Sequence, residues 1–169
     1  MTEISTPVTR YLDEKHIPYR LFQHSRSVHS IEEAAEERGE RPEQIVRSIL
    51  FRLSNEDFLM VLIAGPSQIS WKALRVFLKQ SRLTMAIEEE VIRVTGYQVG
   101  AVSPFGLPQP LRILVDEIVL VEEEISIGSG QRGLAVILLK KDFLQAMGTS
   151  EVGQFAEGAG RNARRIYLK

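Results

Sequence analysis

The sequence predicts an α+β fold: a single domain in which a curved mixed β-sheet, partly closed and barrel-like, is packed with helices. Three observations predict it. The 169 residues, 44% of them hydrophobic, suffice for one substantial core and not for two. Helical periodicities stand at the start and middle of the chain, with strand-like apolar runs between and after them. These elements do not alternate in the βαβ order that a doubly wound parallel sheet requires. The domain is expected over residues 1–148, followed by a basic, glycine-rich tail over 149–169 that carries Arg161, Arg164, Arg165 and Lys169.

Each element has a local reason. Thr6 before Pro7 reads as an N-cap with proline at the first helical position, and Val8, Tyr11 and Leu12 give that helix its apolar side until Pro18 ends it. Tyr19 to Gln23 alternates as a short strand. Ser30-Ile31-Glu32-Glu33 is a capping box, and it opens an acidic surface helix that Gly39 stops. Arg47 to Leu53 and Phe58 to Ala64 flank the polar turn Ser54-Asn55-Glu56-Asp57, the signal of a hairpin. Ser70 caps a helix with Leu74, Phe77 and Leu78 on one face, and Glu88 to Thr95 forms another that closes at Gly96. Trp71 and Phe77 sit at core spacing and read as packing. Beyond Gly100, glycine and proline punctuate short strands at Arg112 to Val115, Ile118 to Val121, Ile125 to Ile127 and Leu134 to Leu139, before a last helix at Asp142 to Met147.

Composition narrows the chemistry. The chain has no cysteine, which excludes disulfides, thiolate metal sites and cysteine nucleophiles. The three histidines, His16, His24 and His29, are not spaced to share a helix face around a metal, so no metal and no cofactor are expected. The apolar runs fall far short of the roughly 20 residues of a membrane-spanning helix. The first residues lack the basic-then-apolar pattern of a signal peptide, and a cytoplasmic protein is expected. With a formal net charge of −1, any RNA must be held by a local basic patch and not by the overall field.

Three motifs compete for a functional reading. Gly128-Ser129-Gly130-Gln131-Arg132-Gly133 matches the G-x-G-x-x-G pattern, but a dinucleotide site needs that pattern to open a helix, and Leu134 to Leu139 reads as a strand. A glycine-rich hairpin loop whose amides can line a small pocket fits better. The segment from Gly96 to Gly106 is dense in glycine and proline. It is either a plain turn or a device that aims backbone amides inward, as stabilisation of an ester-hydrolysis oxyanion requires. Arg47, at the mouth of an apolar strand, either grips a phosphate or pairs with an acid such as Glu43. No G-x-S-x-G elbow and no acid–histidine pair supports a self-contained catalytic triad.

Together these residues resemble the YbaK/EbsC family, which includes the editing domain inserted in bacterial prolyl-tRNA synthetases. The resemblance runs through Thr6-Pro7, Ile17-Pro18-Tyr19, His24, Ser30 to Ala35 and Ile45-Val46-Arg47-Ser48. It is most specific at Thr95-Gly96-Tyr97 and the G-x-x-x-P loop from Gly100 to Gly106, and it closes at Gly128 to Gly133. It implies a trans-editing aminoacyl-tRNA deacylase that hydrolyses the ester of a mischarged tRNA by a substrate-assisted route. The amide of Gly100 would bind the aminoacyl carbonyl or place the water, and a ribose hydroxyl would assist. Arg47 stands where the family usually has a lysine that holds the phosphate of the terminal adenosine. Tyr19, Val28, Ser48, Ser103, Pro104, Phe105, Gly128, Ser129 and Gly130 are the positions that the resemblance assigns to substrate binding. The implied partners are the acceptor end of an aminoacyl-tRNA, with tRNA-Pro one candidate, and an aminoacyl-tRNA synthetase. Alanyl, seryl, cysteinyl and prolyl esters all fit, and a non-catalytic tRNA- or synthetase-binding module of the same fold is the alternative.

Overall fold

The computed structural model describes residues 3–158 and the strand at 166–168. Helix α1 (Pro7–Glu14) begins where the sequence places it. Thr6 Oγ1 accepts from the Thr9 amide at 3.2 Å while Thr9 Oγ1 accepts from the Thr6 amide at 2.8 Å, so two orphan donors of the first turn are satisfied reciprocally. Helix α2 (Ile31–Arg38) starts from Ser30 and stops at Gly39 in the left-handed conformation. Its box is offset by one residue, because Glu33 reaches back to the amide of His29. Ser70 caps α3 (Trp71–Leu78), Gly96 closes α4 (Glu88–Thr95), and α5 (Lys140–Met147) runs up to Gly148. Among the described residues no helix is long and apolar enough to cross a membrane.

The strands form two sheets. One is antiparallel, with β7 (Leu134–Leu139) between β1 (Arg20–Gln23) and β6 (Glu124–Gly128). The other has six strands in the order β4 (Leu83–Met85), β2 (Val46–Leu53), β3 (Phe58–Ala64), β5 (Arg112–Asp116), β8 (Ser150–Gly153) and β9 (Ile166–Leu168). It is mixed: β3 and β5, and β5 and β8, run parallel, while the other neighbours are antiparallel. The expected single, partly closed sheet is therefore corrected to two open ones. They touch through one isolated bridge, Ile45 to Ser126, and do not continue as a ladder. Closure needs a continuous register around the ring, and a single bridge cannot supply it.

Strand β3 explains why the core is so apolar at this point. Met60, Leu62 and Ala64 face a cluster with Val8, Leu12 and Phe143, whereas Leu59, Val61 and Ile63 face another with Leu74, Phe77 and Phe155. Alternate residues point to opposite faces, so a strand buried on both sides reads as an unbroken apolar run. Trp71 packs edge-on against Phe51, and Phe77 against Phe155.

Three further differences from the expectation have physical causes. Ile118 to Val121 is not a strand, because the Asp116 carboxylate accepts from the Ile118 amide at 2.9 Å and starts a short 3-10 turn at Glu117–Leu120. The very short β4 was not foreseen. Finally, the chain after Gly148 does not begin a tail: β8 pairs with β5, and Phe155 is fully buried. Arg161, Arg164, Arg165 and Lys169 lie outside the described residues.

Candidate functional site

Where the two sheets part, β2 and β6 frame an inner cavity of about 290 Å³. Its wall includes Arg47, Ser48, Gly128 and Val102, and it is contiguous through Arg38, Ile45, Gly100 and Leu134 with an outer cleft of about 820 Å³. The two regions of the sequence dense in glycine meet here. Gly128 lies so close to the preceding loop that an added Cβ would stand 2.1 Å from the Val102 carbonyl oxygen, and the Gly130 amide donates to the Ala101 carbonyl at 3.0 Å. The hairpin turn of β6 and β7 is thus docked on the backbone of residues 99–102. Gly100 itself sits at φ +93°, in the left-handed half of conformational space that favours glycine.

The charge of the site is one-sided. Arginines 38 and 47 reach the inner cavity, Arg26, Arg38 and Arg132 reach the outer cleft with His24 and His29, and among the described residues no carboxylate lines either. In a chain with net charge −1, this is a segregated cationic surface suited to anions. Arg47 does not pair with Glu43. Its Nε donates to the Gly65 carbonyl at 3.0 Å and its Nη2 to the Ser67 carbonyl, and desolvation pulls its pKa below the usual value.

Arg38 is held in a polar chain that crosses the wall. Its Nε donates to His24 Nε2 at 3.0 Å and its Nη1 to Ser126 Oγ at 2.8 Å. His24 Nδ1 lies 2.9 Å from Glu37, and Ser126 Oγ donates to Glu40 at 2.9 Å. Because Nε2 accepts, the imidazole carries its proton on Nδ1 and donates it to Glu37. Three donors, the Ser25 amide first and then His24 and the Ser25 hydroxyl, hold Glu37 down at about 2. Burial lowers Arg38 against the opposing pull of Glu40 and Glu37, and burial raises Glu40.

Residues 25–146, nearly three quarters of the chain, match the model of the aminoacyl-tRNA editing domain. The chain belongs to that family. Among its relatives, the proline–tRNA ligase of Kosmotoga olearia is 33% identical over 118 residues, which cover 69% of this chain and 20% of the ligase. That of Thermosipho melanesiensis is 26% identical over 133 residues, covering 78% and 23%. The chain thus spans about a fifth of the length of these ligases. Among solved structures, a candidate trans-editing enzyme for prolyl tRNA synthetase superposes with a TM-score of 0.80 at 25% identity, covering 92% of this chain and all of that one. A hypothetical protein of 22% identity superposes at 0.81, over 90% of this chain and all of its own, which speaks for the fold alone.

The editing domain brings together some of the sequence-predicted positions and separates others. Gly100, Arg47, Ser48 and Gly128 line the inner cavity, and Val28 lines the outer cleft. Tyr19 faces a different hollow beside Glu124, where its hydroxyl donates to Asp13 at 2.9 Å. Ser103 is fully buried and accepts from the Phe105 amide at 3.2 Å, while Pro104 and Phe105 border a separate proline-rich groove. Ser129 is spent on its own turn, donating to the Leu134 carbonyl at 2.7 Å, and Gly130 packs against the Tyr97 ring. Arg38, Ser126 and Arg132 escaped the sequence reading. Arg38 is the last charge of an acidic helix, and no local signal marks a serine that only the fold brings beside it.

Proposed function

We propose that this editing domain is an aminoacyl-tRNA deacylase acting in trans on an ester of a small amino acid. The observation that carries this reading is the common cavity of Gly100, Arg47, Ser48 and Gly128, set at the head of a cleft lined by arginines and histidines. A 3′-terminal nucleotide fits the charge of the outer cleft, and a small aminoacyl group fits an inner cavity of about 290 Å³.

Hydrolysis needs a water to attack the ester carbonyl, a donor for the oxyanion and an acceptor for the proton. The Gly100 amide is the donor in this scheme. Among the described residues lining the inner cavity none carries a carboxylate or an imidazole. That suits a reaction in which the ribose hydroxyl beside the ester orients the water and relays its proton, while the protein contributes orientation. Arg47 contributes positive charge at the cavity wall.

The test is deacylation of tRNAs charged with alanine, serine, cysteine or proline, by wild type, Gly100→Pro and Arg47→Ala. Proline fixes φ near −65° and cannot adopt the conformation at Gly100, so selective hydrolysis by wild type must disappear in Gly100→Pro. Retained tRNA binding with no hydrolysis of any ester would reverse the conclusion in favour of a non-catalytic binding module.

A further inference from the structure

We infer that Arg132 is a positioning residue that sets the direction of the Gly100 amide, an inference that rests on the proposed role of that amide. Residues 98–101 form a tight turn in which the Ala101 amide donates to the Gln98 carbonyl at 3.0 Å. Gly100, third in the turn, has φ +93°, and Val99, second, is not among the residues with positive φ. That combination is a type II turn. Its common alternative, type I, differs by a flip of roughly 180° in the central peptide, here the one joining Val99 to Gly100. Glycine tolerates both arrangements, so the residue type alone does not choose between them.

Arg132 does choose. Its Nε donates to the Val99 carbonyl oxygen at 2.9 Å from the hairpin turn of β6 and β7. The peptide is trans, so its carbonyl and its N–H point in opposite directions. Holding the oxygen of Val99 therefore aims the hydrogen of Gly100, and a flip would exchange a donor for an acceptor at the place where an oxyanion forms. A cation on the carbonyl also polarises the peptide and strengthens its N–H as a donor. The clamp has a stable base, because the same hairpin turn donates from Gly130 to the carbonyl of Ala101, two residues further along the turn. Gly100 and Arg132 both border the outer cleft. Arg132 is exposed, so its replacement does not hollow the core.

The experiment compares wild type, Arg132→Ala and Arg132→Lys by steady-state deacylation and by NMR of the labelled protein. A type II turn brings the Val99 Hα close to the Gly100 amide hydrogen, and a type I turn moves them apart. In Arg132→Ala, kcat should fall about ten-fold or more, as for a weakened oxyanion donor, beside whatever rise in KM the loss of one cleft cation brings. The Val99 Hα to Gly100 NH cross-peak should weaken, and Arg132→Lys should restore part of both. A raised KM with unchanged kcat would make Arg132 a phosphate contact and overturn the inference, as would an unchanged cross-peak. Should wild type hydrolyse no aminoacyl ester, the functional reading fails, and the cross-peak still decides whether Arg132 sets the peptide.

Discussion

Gly128 and Val102 stand back to back, with the α-carbon of one so close to the carbonyl of the other that any Cβ would fall 2.1 Å from its oxygen. Gly128 has no positive φ, so its requirement is steric, unlike that of Gly100. The neighbours are backbone atoms of the 99–102 loop and cannot turn aside as a side chain would. Gly128→Ala is therefore expected to cost about 1–3 kcal/mol through overpacking and to widen the inner cavity by pushing that loop outward. A urea titration checks the first effect. A midpoint equal to that of wild type would mean the loop yields freely.

The caps and the central strands were legible because their causes are local. Thr6-Pro7, Ser30 with Gly39, Ser70 and Gly96 act on their own helix ends, and the apolar run from Phe58 to Ala64 states its own burial. Strands of three or four residues, such as β4 and β8, carry too little pattern to be seen without their partners. The split of the sheet was hidden for a similar reason, since it depends on whether β2 and β6 zip together beyond a single bridge. At the site, Gly100, Arg47, Ser48 and Gly128 came from contiguous motifs. Arg38 and Ser126, 88 positions apart, meet only through the tertiary fold.

Glu37 ties α2 to the segment after β1, accepting from the Ser25 amide, the Ser25 hydroxyl and His24. Its pKa falls from 4.5 to about 2 on folding, so the unfolded chain binds the proton more readily in this range. The stabilisation is present above about 4.5 and is lost as pH falls toward about 2. Thermal melts of wild type and Glu37→Gln should differ at neutral pH and converge on acidification through that window. A constant gap across the window would assign the difference to something other than ionisation.

Arg38 gives the fully buried Ser126 its donor and gives Glu40, whose Oε1 has no hydrogen-bond partner among the described residues, its nearby positive charge. Arg38→Met keeps much of the side-chain volume and removes both services, so a loss of about 2 kcal/mol is expected. In Arg38→Met the Ser126 hydroxyl loses its donor and keeps its bond to Glu40, so adding Ser126→Ala removes the partner that Arg38 had served, and the two effects should couple by about 1 kcal/mol in a double-mutant cycle. Strict additivity would show that the chain of hydrogen bonds is not an energetic unit.

Arg47 fastens the pocket strand β2 to the loop at Gly65 and Ser67 through two separate nitrogens. This geometry separates its two roles. Arg47→Ala leaves both carbonyls without their donor and should destabilise the protein by about 1–3 kcal/mol while also raising KM for aminoacyl-tRNA. Arg47→Lys keeps the charge, yet a single ammonium on a flexible stem does not reproduce the planar fork that bridges two carbonyls. It should therefore recover most of the KM and only part of the stability. Melting temperature and KM measured on the same three proteins decide the matter: if both recover together in Arg47→Lys, the fork has no structural duty, and charge alone is what this position supplies.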